Sequence, residues 1–154
     1  MKLIGKVIRS FFLVNVLLVG VAKLVQRQLP DTRDGAAPEV DVTSMFEESR
    51  FASTTSDLRR VGVITAYGQS TVDLSETTLS ATGAEVNVYT AFGETRIIVP
   101  ADWNVISDHG TIAGALERRG ADLPENPRGT IHLGGFTVFG ATFVVRAEEL
   151  VDEG

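Results

Sequence analysis

No cysteine occurs in the 154 residues, which excludes disulfide scaffolds, thiolate zinc sites and cysteine nucleophiles while fitting either side of a bacterial membrane. Histidine occurs twice and aromatics make up only 7% of the chain, so a core must be filled mainly by Val, Ile, Leu and Ala. The chain has no basic excess to offer nucleic acid: its net charge is -6 and every carboxylate lies beyond residue 30. The hydrophobic share of 44% is enough for one core, and disorder of the whole chain is excluded.

Acidic residues are absent from the first thirty positions, which carry Lys2, Lys6, Arg9, Lys23 and Arg27. At about 100° per residue these five cations fall within roughly 100° of a helical circumference, leaving Ile4, Phe11, Val14, Leu18, Val21 and Val25 on the rest. Such a helix suits a headgroup layer, with cations against anionic lipid. Phe11 to Ala22 is an uncharged run that reads as a short or tilted span, and Gly20, Val21 and Ala22 also fit a signal-peptide cleavage site. The sequence therefore predicts a basic amphipathic or transmembrane helix over 1–29. The cell membrane is the expected location, with a cytoplasmic domain favoured over an external one. Residues 30–44, rich in Pro, Gly, Asp and Ala, read as a polar linker.

Beyond the linker the pattern turns to β-branched residues, Gly and Thr. Three segments align without gaps: AYGQSTVDL (66–74), AFGETRIIV (91–99) and VFGATFVVR (138–146). Each is an aromatic-Gly kink between two strand-like stretches. Gly68 to Gly93 is 25 positions and Gly93 to Gly140 is 47, with a weaker copy, TIAGAL, around Gly114 between them. This spacing predicts four coils of a single-stranded right-handed parallel β-helix, a β-solenoid, over 45–147. Tyr67, Phe92 and Phe139 are expected to stack in its core, so that Phe92→Ala would cost about 3 to 5 kcal/mol. Met45 to Leu58 and the acidic tail over 148–154 are natural end covers. The competing architecture is an antiparallel β-sandwich whose hairpins share a Phe-Gly turn.

The run AFGETRIIVPADWNVISDHGTIAG, with its Val99-Pro100 strand end and Trp103 turn, resembles the LiaF-like C-terminal domain of cell wall-active antibiotics response proteins, grouped with toast-rack β-solenoids. TIHLGGFTVFGATFVV resembles the closing repeat, and the likeness spans Glu47 to Arg146. The family's Gly-Gly pair stands here as Gly93-Glu94 and Gly140-Ala141. The resemblance implies a membrane-anchored domain, linked in relatives to restraint of envelope-stress two-component signalling.

Chemistry-bearing residues are sparse. His109 reads as part of a turn and His132 alternates with Ile131 and Leu133, and neither has a partner at ligand spacing. Ser70 and Thr71 follow Gly68-Gln69 without the second glycine of a nucleophile elbow. Glu47-Glu48 and Glu148-Glu149 are sequence neighbours that point apart. Gly110 to Gly114 lacks the lysine and hydroxyl of a phosphate loop. Trp103, between Asp102 and Asn104, is either a ligand-stacking ring or, the commoner use, a turn aromatic packed over a coil end.

No catalytic, cofactor-binding or metal-ligating residue is expected, and no cofactor. The sequence points to a non-enzymatic, membrane-attached regulatory or scaffolding module in the cell-envelope stress response. Its expected partners are membrane lipids, through the N-terminal helix, and another membrane or signalling protein, with no nucleic acid. A self-associating structural protein and an enzyme with a site assembled from distant residues are the alternatives.

Overall fold

The computed structural model describes residues 16, 17, 20, 21, 23–29, 31–119, 124–148 and 150. Two compact units, 1–30 and 31–154, divide the chain. In the first, Val16, Leu17, Gly20, Val21 and Lys23 to Gln26 are helical, and Leu29 N donates to Val25 O at 3.1 Å. The rest of the helix expected over 1–29 lies outside the described residues. No helix among the described residues is long and apolar enough to cross a membrane.

The second unit is all-β, with eleven strands: β1 (Glu39–Met45), β2 (Glu48–Ala52), β3 (Arg60–Ala66), β4 (Gln69–Asp73), β5 (Ala84–Ala91), β6 (Glu94–Val99), β7 (Trp103–Ser107), β8 (Gly110–Ile112), β9 (Ala115–Arg119), β10 (Gly129–Val138) and β11 (Ala141–Arg146). Each aromatic-Gly kink ends a strand of one sheet and starts a strand of the other. The sheet orders are β1-β3-β5-β10-β7, with β8 beside β10, and β2-β4-β6-β11-β9. Every pairing among these strands is parallel, which overturns the antiparallel sandwich. The stretch read as a linker supplies β1 itself. Together with β2 it makes a tier where only an end cover was expected, so the described residues form five tiers rather than four.

Tier order departs from chain order. The interval of 47 positions between Gly93 and Gly140 predicts an intervening coil, yet β10 lies directly on β5 and β11 on β6. The last tier in sequence slides between the third and the fourth, leaving β7, β8 and β9 outermost. Period alone cannot distinguish these orders, because a parallel ladder joins any two tiers with the same alternation.

The kinks show why the motif takes its form. A Cβ on Gly68 would collide with the Glu47 carbonyl, one on Gly93 with the Gly68 carbonyl, and one on Gly140 with the Gly93 carbonyl. Those carbonyls accept from Gln69, Glu94 and Ala141 N, at 3.1, 3.0 and 3.0 Å. Glycine is thus required for close approach to the tier below. In the first tier Glu47 takes the equivalent place. Glu94 and Ala141, which follow the kink glycines, open the next strand, a place that accepts a side chain. The left-handed backbone falls on the preceding residue: Phe46, Tyr67, Phe92, Phe139 and Ala113 have φ of 58°, 53°, 53°, 50° and 49°. Each costs of order 1 kcal/mol or more, offset by the hydrogen bonds that the kink makes to its neighbour.

Between the sheets, alternate Val, Ile and Leu side chains form the core, with Val61 over Val86, Val63 over Val88 and Val72 over Ile97. At the kink end, buried hydroxyls replace the hydrocarbon. Thr65 to Ser70 spans 2.8 Å, Thr95 to Thr65 2.8 Å, Thr90 to Thr95 2.7 Å and Thr137 to Thr142 2.8 Å. Each threonine of this row bonds two other polar groups, so the row is buried at little cost, although Ser49 Oγ at its first-tier end has no partner among the described residues. The first-tier edge is partly covered, since Thr32 forms an antiparallel bridge to Asp41 and Arg33 donates to Thr43 O at 2.8 Å.

Candidate interaction face

Strand alternation dictates two outward rows on the first sheet beside the kinks. One runs Thr43, Ile64, Tyr89, Phe136 and the other Met45, Ala66, Ala91, Val138, Ile112. Both are predominantly apolar; Thr43 and Met45 at the first tier are buried, whereas Tyr89 and Ile112 are exposed and the rest half-buried. At the corner itself Phe46, Tyr67, Phe92 and Phe139 stack in sequence, with ring centroids 4.9, 5.0 and 5.2 Å apart and planes within 3°, 7° and 16°. The expectation that Tyr67, Phe92 and Phe139 lie in the core is overturned: they are 47%, 50% and 55% exposed. The positive φ at each kink turns the ring outward, and the inward places are taken by the Thr and Ser hydroxyls.

Further from the corner the same sheet becomes polar. Its outer rows there are Glu39, Arg60, Glu85, His132, Ile106 and Asp41, Gly62, Asn87, Gly134. Arg60 holds Asp41 through two 2.8 Å hydrogen bonds, and these are the largest influence raising its pKa above the usual guanidinium value. The guanidinium is therefore a fixed cation at every physiological pH. On the other side of the corner stand Glu48, Gln69, Glu94 and Ala141. An apolar strip between two polar margins results.

The residues weighed for chemistry are dispersed. His132 projects from the outer face of β10, whereas His109 turns inward. Its Nδ1 lies 3.1 Å from Gly134 O, and its Nε2 lies 2.7 Å from Thr137 Oγ1. A carbonyl can only accept, so Nδ1 carries a proton, and a neutral ring takes its second bond from the Thr137 hydroxyl. Ser70 is buried in the hydroxyl row, and Thr71 points outward on β4. Trp103 is buried in the core of the outermost tier, the commoner of the two uses expected. Glu47, Glu48 and Glu148 are exposed, and Glu149 lies outside the described residues. Gly110 packs against the Phe136 ring, and a Cβ on Gly114 would meet Gly140 O, so both serve packing. Among the described residues no three His, Cys, Asp or Glu side chains gather as a metal site.

The outward rows were missed in the sequence, although a signal was there: one and three positions before each aromatic-Gly kink stand Ala66 and Ile64, Ala91 and Tyr89, Val138 and Phe136. Counted from the kink, these alternate with the inward residues and ought to have been polar.

The model of the family described as "Cell wall-active antibiotics response LiaF, C-terminal" matches residues 45–123, half of the chain. The match takes in β2 to β9 and stops short of β10 and β11. Comparison with curated proteins and with solved structures gave no match.

Proposed function

The chain belongs to the LiaF-like C-terminal family of cell wall-active antibiotics response proteins, and from that premise we propose that it is a non-enzymatic, membrane-attached module that regulates or scaffolds an envelope-stress signalling protein. The observation that carries this reading is the exposed aromatic strip. Parallel sheets ordinarily have both faces covered, and a contiguous apolar patch on a soluble face marks an interaction site. The strip offers contact area without an acid, base or nucleophile set to work on a substrate. We read the five tiers as a single-stranded right-handed β-solenoid, a rigid platform that holds the strip in place. Attachment is assigned to the basic amphipathic stretch within residues 1–29, with the domain in the cytoplasm.

Self-association by end-to-end stacking fits less well. The Thr32 bridge occupies part of the first-tier edge, and Glu47 brings a side chain where every later kink needs close approach. The test is deletion of the gene in its native host with an envelope-stress reporter, combined with membrane-proximity labelling from the full chain. A changed response to cell wall-active antibiotics and labelling of a membrane signalling protein are expected. An unchanged response, or a purified chain that turns over a substrate, would overturn the reading.

A further inference from the structure

We infer that the aromatic strip takes a basic amphipathic helix of a partner protein, laid along the ladder of Phe46, Tyr67, Phe92 and Phe139. This rests on the proposed role as a protein-binding module and names the chemistry of the partner. Three observations commit the strip to this occupant.

The first is spacing. The rings repeat at 4.9, 5.0 and 5.2 Å, close to the roughly 5.4 Å rise of one helical turn. A helix running along the tiers therefore brings its i, i+3, i+4 and i+7 side chains into step with successive rings, and Tyr89 and Phe136 form the adjoining wall. An extended peptide in the same direction, at about 6.7 Å per same-face pair, drifts out of step.

The second is the sign of the margin. Glu47 and Glu48 follow Phe46, Glu94 stands two positions after Phe92, and no Lys or Arg lies within two positions of any of the four rings. Arg50 and Arg96 stand one row further away, and Arg96 and Glu94 pair with each other at 3.2 Å, so the excess of carboxylate lies at Glu47 and Glu48. The margin beside the last tiers, at Ala141 and Ala115, is uncharged, so the cations of the partner belong toward the first tier.

The third is the charge of the whole unit. Residues 31–154 contain nine arginines, no lysine and all 20 carboxylates. The β unit of a second copy would bring like charge against like charge, and an anionic bilayer would do the same, so both lose to a cationic helix.

The test uses the full chain in phosphatidylcholine nanodiscs and two synthetic helical peptides of about eighteen residues. Both carry a leucine stripe, flanked by lysines in one and by glutamates in the other. The lysine peptide is expected to bind at least about tenfold more tightly, a difference of about 1.4 kcal/mol. Tyr67→Asn with Phe92→Asn is expected to weaken it by about tenfold or more, since asparagine accepts the left-handed backbone of the kinks. Tyr89→Ser, on a strand and away from the kinks, gives the same direction if the double variant melts early. Glu47→Gln, Glu48→Gln and Glu94→Gln together should erase the preference for lysine. Equal binding of the two peptides overturns the inference, as does unchanged binding by both aromatic variants. Binding to phosphatidylglycerol vesicles that the aromatic variants abolish also overturns it, by making lipid the occupant. These outcomes are separable from the functional role: a stress response altered by deletion, with no peptide binding, defeats this inference alone, and peptide binding with an unaltered response defeats the role alone.

Discussion

The imidazole of His109 sits 2.7 Å from the Thr137 hydroxyl and closes the buried hydroxyl row at the junction of β7 and β8. The register places His109 opposite Gly135, a position whose backbone favours glycine. A Cβ at Gly135 would also strike the Val88 carbonyl, and its φ is 106°. His109→Ala removes the donor to Gly134 O and is expected to lower stability by about 1 to 3 kcal/mol. His132→Ala, on the exposed face, should stay within about 0.5 kcal/mol. Paired thermal melts check both, and equal midpoints would remove the role assigned to His109.

Gly93→Ala is expected to be among the most disruptive single-methyl changes, because the new Cβ is aimed at the Gly68 carbonyl, which accepts the hydrogen bond from Glu94. A loss of more than about 3 kcal/mol is expected, against less than about 1 kcal/mol for Glu47→Gly in the first tier. Urea unfolding of the two variants measures the contrast.

Phe92→Ala is expected to cost about 1 to 3 kcal/mol rather than the larger loss of a buried ring. Its side chain is half exposed and contributes mainly two stacking contacts, with Tyr67 and Phe139. Leu133→Ala, in the core, should cost about 2 to 5 kcal/mol. If Phe92→Ala proves the more damaging of the two in denaturant titrations, the ladder is a structural element first and a contact surface second.

Arg146 is buried at the end of β11 and donates to Ala101 O at 2.7 Å and Trp103 O at 2.9 Å. It ties the inserted tier to the Pro100–Trp103 turn. Arg146→Met should destabilise by about 2 kcal/mol or more and shift the emission of the single tryptophan to the red. An unmoved emission spectrum at full folding would mean that the turn holds without it.

Local pattern made the β class, the kinks and the equivalence of Gly68, Gly93 and Gly140 legible. Alternation of Val61 with Val63, or of Val86 with Val88, is written in adjacent residues, and a carbonyl that must be approached closely admits only glycine. The family resemblance was equally legible, since it rests on the order of such local motifs. The apolar face, by contrast, could not be read from the sequence. Its residues Ile64, Tyr89 and Phe136 belong to three strands far apart in the chain, and only parallel pairing brings them into one surface.

What the sequence determined by itself is therefore the unit, a strand, an aromatic-Gly kink and a second strand, because hydrogen-bonding period and backbone sterics act within a few residues. Tertiary structure decided the order of the tiers and the side of the wall on which the aromatics stand. Neighbouring tiers present nearly identical edges to one another, so the bonds of His109 to Gly134 and Thr137 and the Arg146 clasp, rather than spacing along the chain, accompany the placement of the last tier between the third and the fourth. The rings face outward because the left-handed kink points their Cα–Cβ bonds away from a core corner already filled by hydrogen-bonded hydroxyls.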